Sequence, residues 1–114
     1  MATTMNEYQI DALQTAIFPE NVKVSYPALK LAGEAGEVAE KIGKLLRQGR
    51  LDGDKELSLN EVKGIADELG DVLWYLAILA HEFDVDLEYV AKANLAKLGD
   101  RAARGTLHGD GDNR

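Results

Sequence analysis

The sequence predicts an all-α protein, a four-helix bundle completed by oligomerisation. Three observations carry that reading. The two prolines, Pro19 and Pro27, both fall in the first quarter of the 114 residues. From Ala28 onward the apolar residues recur at helical rather than alternating spacing. Val62, Ile65, Leu69, Val72, Leu76, Leu79 and Phe83 then step by three and four, giving a seam that wants a partner helix. Leu73, Trp74 and Ile78 occupy other faces of the same segment, so it is apolar most of the way round. Four helices of this length cannot cover all of it, and a homo-oligomer, a dimer or a tetramer built as a pair of dimers, is expected to do so.

The elements follow in order. A first amphipathic helix is expected from about Met5 to Phe18, with Tyr8, Leu13 and Ile17 on one side, ended by Pro19. The second begins near Ser25 and Pro27, good first-turn residues, and runs to Arg47 before Gly49 closes it. Arg50 to Leu57, with Asp52, Gly53 and Asp54, reads as a turn-forming loop. Ser58 and Glu61 have capping-box spacing and open the third helix, which continues to about Phe83. Asp86 caps the fourth, whose Leu87, Val90, Ala91, Leu95 and Leu98 carry it to about Arg104, with Glu88 expected near its exposed start. After a very short turn this helix should pack beside the third. Residues 1–104 form the domain, and Gly105, Gly109 and Gly111 mark 105–114 as a polar tail.

Composition narrows the function. At 12.4 kDa, with 46% hydrophobic and 29% charged residues, the chain is one folded domain with one core. The absence of cysteine removes disulfides, thiolate metal sites and thiol nucleophiles, so a cytoplasmic location is the expectation. A net charge of -7 repels nucleic-acid backbones and anionic lipid alike. The longest run free of charged and polar side chains, Val72 to Ala80, is nine residues, about half of a bilayer span, so neither nucleic acid nor membrane is an expected partner. Met1 to Gln9 lacks the order of a secretion signal.

One internal similarity stands out. Leu31 to Val38 lies over Ile65 to Val72 at an offset of 34: Ala32 matches Ala66, Glu34 Glu68, Gly36 Gly70 and Val38 Val72, while Glu37 corresponds to Asp71 and Leu31 to Ile65. Two copies are too few for a solenoid, and they read as a paired-helix motif. Glu34 and Glu37 flank the apolar stripe of the second helix, and Glu68 and Asp71 take the equivalent flank of the third. If the helices run antiparallel, the four acids meet. Carboxylates gathered in a partly dry groove must protonate or bind a cation, and oxygen-only ligation favours hard ions, magnesium first and manganese second. A solvated acidic face is the alternative, since acids three apart are common in an acidic chain. Gly36 and Gly70 weigh for a site, because each costs its helix roughly 1 kcal/mol against alanine, a cost that a close backbone or ligand approach explains.

Other chemistries find little support. Neither His81 nor His108 stands three residues after a glutamate, as a di-iron bundle requires. His81 reads as a helix-end residue, and Ser25 and Ser58 as caps rather than nucleophiles. Trp74 and Tyr75 fall near Asp71, where they suit either core packing or stacking on a base.

Leu-Ala-Gly-Glu-Ala-Gly-Glu-Val from Leu31, with Asp-Glu-Leu-Gly-Asp-Val-Leu-Trp-Tyr-Leu from Asp67, resembles the MazG-like nucleotide pyrophosphohydrolases of the all-α NTP pyrophosphatase superfamily. A following Asn-x-x-Lys-Leu-x-x-Arg at Asn94, Lys97, Leu98 and Arg101 extends the resemblance over most of the chain. The resemblance implies magnesium-dependent hydrolysis of nucleoside triphosphates, dNTPs foremost, between the α- and β-phosphates. Glu34, Glu37, Glu68 and Asp71 are implied as metal ligands, with Glu37 or Glu34 taking the proton of the attacking water. Lys97 and Arg101, a helical turn apart, are the expected grip on the phosphate tail, and Asn94 a partner for phosphate or sugar. Two departures are visible: Gly33 stands where many members have a further glutamate, and the thirty residues between Glu37 and Glu68 are slightly more than usual. A phosphoribosyl-ATP pyrophosphohydrolase and a non-catalytic helical interaction protein are the competing readings.

Overall fold

The structure, a computed structural model, describes residues 3–51 and 56–106. Its described residues form α1 (Met5–Leu13), a 3-10 turn (Glu20–Val22), α2 (Ser25–Arg47), α3 (Leu59–Glu82) and α4 (Leu87–Arg104), without strands. The all-α expectation is met, and the boundaries of α2, α3 and α4 fall where their caps place them. Both the tip of the α2–α3 loop and the tail beyond Thr106 lie outside the described residues.

Local chemistry sets each end. Thr4 and Glu7 form a reciprocal capping box at α1, and Ser58 and Glu61 form another at α3. Asp86 Oδ1 accepts from Tyr89 N at 2.7 Å to open α4. Gly49 closes α2 at φ 67°: Arg50 N donates to Leu45 O at 3.0 Å and Gly49 N to Leu46 O at 2.9 Å, the paired bonds of a left-handed helix stop. Asp84, at φ 57°, does the same for α3 in a conformation that costs a non-glycine residue energy.

Arg50 also reaches across the loop to both carboxylate oxygens of Glu61, Nη2 donating to Oε1 at 2.7 Å. The Ser58 backbone N–H, reinforced by the Arg50 guanidinium, holds the Glu61 carboxyl below its ordinary value of 4.5. A carboxyl with a lowered folded-state pKa stabilises the fold above its unfolded value and loses that contribution as pH falls through the folded one. Glu61→Gln should therefore flatten the acid side of the melting-temperature profile below about pH 4.5. An acid limb as steep as that of the wild type would refute this.

Two expectations are corrected. The first helix stops at Leu13, well short of Phe18, because the chain tightens into i→i+3 bonds over Gln14 to Ala16. Thr15 fixes that stop: its hydroxyl donates to Ala12 O at 2.9 Å and accepts from Trp74 Nε1 at 3.0 Å. Ile17 consequently leaves the apolar face and is 88% exposed. The fourth helix packs chiefly against α1 rather than beside α3. Buried Gln9 explains this, its Nε2 donating to Ala77 O at 3.0 Å and Val85 O at 3.1 Å while Oε1 accepts from Leu87 N at 3.1 Å. Asn6 and Glu88 add a reciprocal pair, Asn6 N donating to Glu88 Oε2 and Glu88 N to Asn6 Oδ1. Glu88 is thus a half-buried joint, not the exposed residue expected.

Apolar burial is concentrated where α1, α3 and α4 meet, at Ala12, Ala77, Ile78 and Leu87, with Leu45 buried on α2. The seam of α3 is covered unevenly: Ile65, Val72, Leu76 and Leu79 are half-buried, whereas Val62, Leu69 and Phe83 are exposed.

Candidate metal and phosphate site

α2 and α3 run antiparallel, as their contacts show: Tyr26 meets Tyr75 at one end and Lys41 meets Glu68 further along. Near the middle of this pair Glu34, Glu68 and Asp71 each bring a carboxylate oxygen within 4.8 Å of the other two. Glu34 and Glu68 are half-buried and Asp71 is exposed. Glu37 lies outside this cluster. It borders an adjoining cavity of about 210 Å³ with Glu40, Lys41, Lys44 and Glu68. Three of the four expected ligands are therefore gathered, and the fourth sits beside them.

Lysines hold this negative charge. Lys30 Nζ lies 3.8 Å from Glu34 Oε1 and 6.0 Å from the Tyr75 ring centre, and Lys41 Nζ lies 3.8 Å from Glu68 Oε1. The field of the acids reaches the neighbouring phenols. Burial pushes the Tyr8 hydroxyl above its usual range with help from Asp71, and burial followed by Tyr26, Glu34 and Asp71 does the same for Tyr75. A donor set of carboxylate oxygens alone, open on one side, suits a hard divalent cation, with which the two ammonium groups would compete.

The rest of the expected set stands on α4. Asn94 is exposed, Lys97 half-buried and Arg101 only 3% exposed, all on the helix that leans on α1. Trp74 and Tyr75 belong to an aromatic cluster with Phe18 and Tyr26, centroids 4.9 to 6.5 Å apart, edge-to-face except for the tilted Phe18–Tyr26 pair, and the cluster abuts the acids at Tyr75. His81 is an exposed residue in the last turn of α3. Among the described residues no close approach is made at Gly36 or Gly70, where a Cβ meets open space. Lys41 and Lys44 are not among the residues the motifs single out, yet the sequence carries a signal for them: Glu34, Glu37, Lys41, Lys44 and Gln48 follow one another at steps of three and four along one face of α2.

A family model of the MazG nucleotide pyrophosphohydrolase domain matches residues 26–105, and the chain belongs to that family. It is 43% identical over 113 residues to the "Gene 37 protein" of Mycobacterium phage L5, covering 94% of this chain and 96% of that protein. No solved structure gives a significant match. The matched span contains all of α3 and α4 and all of α2 but its first residue. No helix among the described residues is long and apolar enough to cross a membrane.

Proposed function

We propose that the protein hydrolyses nucleoside triphosphates, dNTPs foremost, to the monophosphate and pyrophosphate with magnesium as its cofactor. The observation that carries this reading is the meeting of Glu34, Glu68 and Asp71 from two helices of a MazG domain. In the reaction, the water oxygen bonds to the α-phosphorus while the bond from that phosphorus to the α–β bridging oxygen breaks, and pyrophosphate leaves. Glu34, Glu68 and Asp71 would hold a divalent ion, which would supply charge neutralisation at phosphorus and acidify water. Glu34 and Glu68, half-buried, orient the ligand oxygens, and Asp71 closes the set from the solvent side. Glu37, beside the cluster and exposed, is the better placed of the two candidates to take the proton from water, Glu34 being committed to the cluster.

Oligomerisation belongs to this reading. The chain has a radius of gyration of 17.0 Å, against about 13 Å for a compact domain of its length. Leu29, Leu59 and Leu95 are 74%, 89% and 68% exposed. A second copy is the economical cover for such side chains. Asn94 and Lys97, which keep surface on α4, would reach phosphate through such an assembly, whereas Arg101 is buried in its own chain.

The test is a panel of nucleoside triphosphates incubated with magnesium and scored for pyrophosphate. Release of pyrophosphate and monophosphate in equal amounts, abolished by chelation, is expected. Orthophosphate as the product, or no turnover of any triphosphate, would overturn the proposal.

A further inference from the structure

We infer that Lys41 and Lys44 form an anion subsite for the terminal pyrophosphate group of the nucleotide, at the loop end of the α2–α3 groove, and that Lys41 serves it on release from Glu68. The inference rests on the proposed triphosphate hydrolysis and adds the direction in which the substrate lies.

The charge order along α2 points that way. Glu34, Glu37, Lys41, Lys44 and Gln48 share one face, and ten residues from Glu34 to Lys44 span about 15 Å of helix. Acids therefore occupy the middle of the groove and ammonium groups the stretch toward the loop. Two cavities lie along this stretch and share Lys41 and Lys44. The first, of about 210 Å³, is lined by Glu37, Glu40 and Glu68 besides the two lysines and so belongs to the acidic, metal-facing part of the groove. The second, of about 240 Å³, continues past Leu45 and Gln48 to Asn60, Glu61, Gly64 and Ile65. Glu61 adds little repulsion there, because both its oxygens are engaged by Arg50. The Lys41 ammonium lies against Gly64 of α3, 3.6 Å from where a Cβ would stand, an ordinary contact distance.

The opposite end suits a base better than a second anionic group. Lys30 stands there between Glu34 and the face of the Tyr75 ring, and beyond it the groove is lined by aromatic side chains rather than by a second ammonium group. Phosphates left uncompensated by metal therefore find their donors toward the loop, with the nucleoside toward Tyr75.

Lys41 links the two events. Its ammonium is the cation beside Glu68, and Glu68 cannot serve both Lys41 and a divalent ion at full strength. When Glu68 turns to the ion, Lys41 is freed within reach of the tail, where an ammonium–phosphate bond is charge-assisted.

Removing Lys41 should thus move two affinities in opposite directions. In Lys41→Ala, Mn2+ binding to nucleotide-free protein should tighten by about threefold or more, because a competing cation is gone. Binding of a non-hydrolysable triphosphate analogue, and of inorganic pyrophosphate, should weaken by about tenfold with metal saturating, while binding of the nucleoside monophosphate stays within about twofold. Lys44→Ala should weaken the same two ligands with a smaller effect on the metal. Lys63→Ala, which removes an equal charge from an exposed pair with Asp67, is the control and should change none of these. Equal weakening of mono- and triphosphate, or unchanged pyrophosphate binding in both variants, would overturn the subsite even if the wild type hydrolyses triphosphates. Looser or unchanged Mn2+ binding in Lys41→Ala would overturn the link to Glu68. Absence of wild-type turnover bears instead on the proposed function, since these affinities are measured without catalysis.

Discussion

Glu68→Gln is expected to abolish pyrophosphate release while leaving the fold intact or slightly more stable in the absence of metal. Glu68 is the member of the carboxylate cluster that also borders the adjoining cavity, so it touches both halves of the groove. Glutamine keeps the shape and one carbonyl oxygen but removes the charge that holds a hard cation. Taking one charge from a repelling cluster also relieves the metal-free protein. A loss of at least about a hundredfold at limiting magnesium is predicted, partly recovered at high magnesium if metal affinity is the main casualty. Activity near that of the wild type at limiting magnesium would exclude Glu68 as a ligand. Circular dichroism melts without metal check the second half, and a clear fall in the midpoint would show that Glu68 serves the fold through Lys41 more than it serves an ion.

Gln9→Ala is expected to produce the largest loss of stability of any polar substitution considered. The amide of Gln9 bonds three backbone groups from α3, the α3–α4 turn and the start of α4. Truncation leaves the buried Leu87 N–H without its acceptor and two carbonyls short of a donor, a cost of about 2 to 4 kcal/mol. For comparison, Asn6→Ala removes the neighbouring, part-buried pair with Glu88 and should cost about 1 kcal/mol. Chemical denaturation of both variants provides the check. Equal, small effects would mean that α4 is held by its apolar contacts and not by this joint.

These cases show what is legible in the sequence. The ends of α2, α3 and α4 are written locally, in Gly49, in the Ser58 and Glu61 box and in Asp86, so reading a few neighbouring residues suffices. The early end of α1 is not, because Thr15 is fixed by a bond from Trp74, 59 residues away. The side on which α4 packs has the same origin: Gln9 and Asn6 reach partners 68 to 82 positions distant, and no periodicity within α4 reveals that. Helical spacing exposes the candidate site only in part. Both acid pairs step by three, and a three-residue step does not say which pair closes around a common point. On α3 both members do, whereas on α2 Glu37 lies about 60° round from Glu34 and faces the next cavity. Lys41, about 20° from Glu34, is the closer companion, and a search for acids alone passes over it. The sequence argument for a second copy rests on Leu73, Trp74 and Ile78 beside the α3 seam, and there the chain covers more than the argument allows: Ile78 is buried and Leu73 and Trp74 are half-buried, while Val62, Leu69 and Phe83 of the seam stay exposed.

The claim on which the rest depends is that carboxylates of α2 and α3 together hold a divalent ion. Titration of Mn2+ into nucleotide-free protein, followed by the electron paramagnetic resonance signal of the free ion, tests it most directly in the wild type and in Glu34→Gln, Glu68→Gln and Asp71→Asn. The account predicts saturable binding in the wild type and affinity at least about tenfold weaker in each variant, since each removes one charged oxygen ligand from the same ion. Binding equally tight in all four proteins would contradict it.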